Sequence, residues 1–92
     1  MSTRDELLQS IDRVRQRVAA CEEGFTEFVA VTDYPALYKE LEAAELLLAK
    51  LGIYELLWTV AEQSEGLLRA DRIEDAEGVL KRAADSLRSA GV

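Results

Sequence analysis

The sequence predicts an all-α protein: an antiparallel four-helix array, a helical bundle with a long first helix, forming one domain over residues 1–92. Three observations predict it. Apolar residues recur at helical steps of three and four along nearly the whole chain. With five glycines and one proline in 92 residues, long helices meet few interruptions. The apolar seams also fail to run into one another, and each change of register falls at a turn or capping residue.

The first helix is expected to start at a capping box, Thr3 with Glu6. Its seam is Leu7, Ile11, Val14, Val18, Cys21, Phe25 and Phe28, alternating steps of four and three as a heptad does. Gly24 lies beside that seam and costs up to ~1 kcal/mol in a helix interior, too little to end the helix. The expected span is therefore Arg4 to Ala30. Thr32, Asp33 and Pro35 form the first expected break, because proline fits best in the first turn of a helix. A second helix carries Tyr34, Leu37, Leu41, Ala44, Leu48 and Leu51. It stops at Gly52, which can take the left-handed conformation while Ile53 folds back on the last turn. The third helix follows Ile53, Leu57, Val60, Ser64 and Leu67. Asp71 with Glu74 then makes a second capping box, opening a helix on Ile73, Ala76, Leu80, Ala83, Leu87 and Ala90 that Gly91 ends.

Residues 69–83 supply one resemblance. They are similar to the turn and second helix of a tetratricopeptide repeat, with Ala76, Leu80 and Ala83 at its small, large and small positions. Gln63 stands where that repeat usually has leucine, and no second copy follows. The resemblance implies a tightly packed helical hairpin, not membership of the family.

Composition narrows the function more than any motif does. Hydrophobic residues at 49% and charged residues at 32% describe a chain that folds and dissolves. No apolar run is long enough to cross a membrane, and the N-terminus has no apolar leader. Cys21 is the only cysteine, so no internal disulfide forms and a reducing cytoplasm is expected. The net charge of −7 is concentrated: residues 22–65 hold ten acids against Lys39 and Lys50. That balance argues against nucleic acid as a partner and suits a basic protein.

The chain has no histidine, which removes imidazole-based nucleophilic catalysis and histidine-ligated metal sites. Phosphate-loop and calcium-loop patterns are absent as well. Glu42 with Glu45 and Glu62 with Glu65 are paired carboxylates, but all four lie off the seams and are expected to face water. Cys21 is expected to be buried and inert on the helix-one seam. No catalytic residue, cofactor or metal is expected, and the chain is not expected to be an enzyme.

Two surfaces are candidates for binding. Tyr34, Tyr38, Tyr54 and Trp58 cluster around the central hairpin, and such residues are favoured interface anchors. A first helix of ~40 Å against ~26 Å for the others would leave Leu7, Leu8, Ile11 and Val14 without an intrachain partner. Pairing with a second copy would bury them, which predicts a homodimer. The expected function is a non-enzymatic protein–protein interaction module, an assembly factor, chaperone or adaptor subunit, that acts as a homo-oligomer on an unidentified protein. The alternative is an acidic inhibitor that mimics nucleic-acid phosphates and blocks a nucleic-acid-binding protein.

Overall fold

In the computed structural model, which describes residues 4–90, the chain is all helical. Among the described residues there are five helices: α1 (Arg4–Ala19), α2 (Thr26–Ala43), α3 (Glu45–Lys50), α4 (Tyr54–Arg69) and α5 (Ile73–Ser89). The four long ones form a closed ring, in which α1 packs on α2 and α5, and α4 packs on the same two. Each neighbour runs antiparallel. Arg4 donates to the Ala90 carbonyl at 2.6 Å and Arg15 to Glu77 at 3.0 Å, so α1 and α5 lie head to tail. The ring rules out an open stack of hairpins. Short α3 carries the chain from the end of α2 to the start of α4.

The first turn is a correction. α1 ends at Ala19, not Ala30, and α2 runs unbroken through Thr32, Asp33 and Pro35. The reversal lies at 20–25, where the Phe25 N–H donates to the Glu22 carbonyl and Gly24 sits at φ +91°. A left-handed residue costs an L side chain about 1–2 kcal/mol but costs glycine nothing, so this is where the chain folds back. The heptad spacing from Leu7 to Phe28 spans two helices. Its members through Val18 are buried, whereas Phe25 and Phe28 face water.

The early turn overturns the premise for self-association through α1. With α1 no longer than α2, it has a partner along its whole length. Leu7, Ile11 and Val14 are in the intrachain core at 0%, 2% and 5% exposure, and Leu8 packs against its edge. Those residues are not a surface for a second chain.

The other two turns fall where the sequence places them. After α3, Gly52 is left-handed at φ +73°, with Gly52 N–H bonded to Ala49 and Ile53 N–H to Leu48. This is the paired bonding that closes a helix around a left-handed residue. The expected second helix is split by Ala44, whose N–H bonds back to Glu40 and Leu41 while its φ departs from helical. After α4 the same closure is built on Asp71 at φ +61°, with Arg72 N–H bonded to Leu67. Asp71 therefore ends α4 and does not cap α5, which has no side-chain cap. Its carboxylate instead accepts a hydrogen bond from Thr26 at 2.9 Å, tying the start of α2 to this turn. The expected Thr3–Glu6 box and the stop at Gly91 involve residues outside those described.

One polar chain crosses the core. Ser64 donates its only hydroxyl proton to the Ala76 carbonyl at 2.8 Å, so its oxygen accepts from the Tyr34 hydroxyl at 2.7 Å. That chain pins α2, α4 and α5 together. Ser64 on the third seam is small because α5 comes close there, which accords with the tight hairpin at α4–α5.

Candidate functional site

Tyr54 and Trp58 stand one turn apart on α4, a spacing that puts both on one face. Tyr38 reaches them from α2. Its ring lies 4.9 Å from Trp58, and Tyr54 lies 6.1 Å from Trp58, both tilted. All three rings are half-buried, forming an aromatic shelf across the α2–α4 seam. Tyr34, expected among them, is fully buried and belongs to the core. The Tyr38 hydroxyl donates to Glu65 at 2.7 Å, which fixes its ring. Burial and then that hydrogen bond push the Tyr38 hydroxyl well above its ordinary range.

Acids surround the shelf. Partial burial first, then the charges of Glu45 and Glu42, raise the Tyr54 hydroxyl above its usual value. Glu55 lines the shallow hollow beside Tyr54, Trp58 and Thr59. Glu62 adds its charge to the environment of Tyr38. Glu42, Glu45, Glu55 and Glu62 are exposed and form no ion pair among the described residues. Glu65 differs from the expectation that it faces water. It is held by Tyr38 and, at 3.0 Å, by Arg69. Uncompensated carboxylates beside open aromatic faces attract cations, by charge and through the ring quadrupoles.

A second surface was not legible in the sequence. Phe25, Phe28 and Val31, at the start of α2, are 63%, 60% and 52% exposed. Phe25 and Phe28 form one wall of a groove of about 400 Å³ whose other wall is Arg13, Gln16 and Arg17 of α1. Cys21 also lines that groove. It is half-buried, donating weakly to the Glu22 carbonyl at 3.4 Å, and so is not enclosed in a seam as expected. The available signal was apolar residues on every side of the segment 25–31, which a single seam cannot absorb.

Among the described residues, no three His, Cys, Asp or Glu side chains are grouped to hold a metal ion. No described helix is long and apolar enough to cross a membrane. Comparisons of the chain with protein families, curated proteins and solved structures find no match.

Proposed function

We propose that this chain is a non-enzymatic protein–protein interaction module of the adaptor, assembly-factor or chaperone kind. It docks a basic segment of another protein on the Tyr38–Tyr54–Trp58 shelf. The observation that carries this reading is the set of three half-open rings bordered by Glu42, Glu45, Glu55 and Glu62, which form no ion pair among the described residues. Lysine or arginine side chains over such rings gain about 0.5–2 kcal/mol each, and aliphatic neighbours fill the space between. The single cysteine favours a cytoplasmic setting, where the module acts as a homo-oligomer.

Trp58 is the only tryptophan, so its emission reports the shelf directly. Titration with an amphipathic lysine–leucine peptide is expected to change that emission saturably. Replacing Tyr54 by Ala, or Glu55 and Glu62 together by Gln, should weaken the response at least tenfold. A response indifferent to those changes would sink the reading. The acidic-inhibitor alternative draws on the same carboxylates and makes the opposite forecast: binding to a basic nucleic-acid-binding protein that salt abolishes and Tyr54→Ala leaves intact.

A further inference from the structure

We infer that the shelf selects arginine over lysine, laying a guanidinium group flat on Trp58 with its N–H edge turned to Glu55 and Thr59. The inference rests on the docking reading above and names the side chain that the site takes.

The first argument is spacing on α4. Tyr54 and Trp58 are one helical turn apart, and so are Glu55 and Thr59, each the next residue along. Residues at this spacing stack along a helix face, so the four make two parallel rows, one aromatic and one bearing oxygen. A shallow hollow of about 340 Å³ is lined by these four residues. Tyr38 lies 4.9 Å from the Trp58 ring yet does not border the hollow, so it backs the indole from another side. Its hydroxyl is anchored on Glu65 at 2.7 Å. The aromatic platform is thus held in place before any ligand arrives.

The second argument is chemistry, and it selects the occupant. A ring face beside a row of oxygen atoms suits a flat cation. Guanidinium stacks on an aromatic face and directs its N–H groups outward in its own plane. Laid on Trp58, it offers a paired fork to the Glu55 carboxylate and a remaining donor to the Thr59 hydroxyl. An ammonium group has no face to stack. Hydration widens the difference: Glu55 and Thr59 are exposed, so the hollow is wet, and a strongly hydrated ammonium gains little by entering it. A methylated ammonium is taken by cages of aromatic rings, and two rings in one row do not enclose it. Charge completes the match. Glu55 has no ion pair among the described residues, Glu62 stands one turn beyond Trp58, and Glu45 and Glu42 act on the Tyr54 end.

The test titrates the whole chain with two peptides of one amphipathic sequence, carrying arginine or lysine at every basic position, and follows Trp58 emission. The arginine peptide is expected to bind about tenfold more tightly, the worth of one charge-assisted hydrogen bond. Glu55→Asp keeps the charge but draws the carboxylate back by one methylene. It should remove most of the arginine advantage while leaving the lysine peptide's affinity nearly unchanged. Thr59→Val, which deletes the hydroxyl and keeps the shape, should weaken the arginine peptide alone. Both positions are exposed, so helix content by circular dichroism should match the parent. Equal affinities for the two peptides, or Glu55→Asp weakening both alike, would overturn the inference and leave the docking reading standing. Failure of both peptides to bind would remove the docking reading, and the arginine preference with it.

Discussion

Ser64 shows how much one small side chain settles in this protein. Its hydroxyl satisfies the Tyr34 hydroxyl and the Ala76 carbonyl at once, in a region fully closed to water. Ser64→Ala should therefore cost about 1–3 kcal/mol, because the Tyr34 hydroxyl is left dry and unpaired. Tyr34→Phe should cost about 1 kcal/mol, since Ser64 keeps Ala76. The double variant should be no less stable than Ser64→Ala alone, because removing both partners removes the unmet demand. Urea titration of the three variants measures the coupling. Burial also pushes the Tyr34 hydroxyl up to about 12, from 10.0. The folded state holds that proton more tightly than the unfolded chain. Its contribution to stability is thus complete below pH 10 and lost between about pH 10 and 12. Alkaline denaturation followed by circular dichroism should show a steeper loss over that window in the parent than in Tyr34→Phe. Neither residue was legible as a pair. Tyr34 reads both as a seam residue and as an interface candidate, and no spacing sets it opposite Ser64, 30 positions away.

At the scale of the helices, α2 is where sequence and structure part. The turns at Gly52 and Asp71 were legible because a break in apolar register coincides there with a residue suited to end a helix. At Gly24 the register does not break. Seven residues happen to keep heptad spacing across a reversal, and spacing tests periodicity, not continuity. Pro35 then drew the break to itself, although it lies inside α2. It is tolerated because it sits on the outer side, where water can bond the Val31 carbonyl that proline leaves unpaired. Pro35→Ala restores that bond and should stabilise the isolated bundle by about 1–3 kcal/mol, read as a higher urea midpoint. Were α2 to begin at Asp33, the same change would be neutral or harmful. The misplaced turn also explains the misplaced surface. Ending α1 eleven residues early moves Leu7, Ile11 and Val14 inside and turns Phe25 and Phe28 outside.

For the molecule as a whole, the fold class was legible from periodicity alone, since four amphipathic segments on short turns have few ways to close. Which surfaces stay open was not, because it depends on how long each helix is. Closure depends on α1 and α5, the two helices farthest apart in sequence. Beyond their apolar contact they are joined by Arg15 to Glu77 and by Arg88 to Asp12, at 3.0 and 3.4 Å. These pairs are half-exposed and worth about 1 kcal/mol or less each, so apolar packing dominates the seam. The acids concentrated in residues 22–65 are spread along α2, α3 and α4, leaving that side of the ring the most negative.

The contact between Arg4 and Ala90 places the two ends of the described chain side by side. The ring of helices is consequently almost a ring of covalent bonds as well, and the order of its segments is a matter of where the chain happens to be cut. Joining residues 4 and 90 by a short flexible linker and opening the exposed turn at Gly52 should yield a permuted chain with the same helix content and cooperative unfolding. In that permutant the α1–α5 pairing becomes a neighbouring hairpin while the α2–α4 seam takes over the long-range closure, so folding in stopped-flow measurements should be no slower than in the parent.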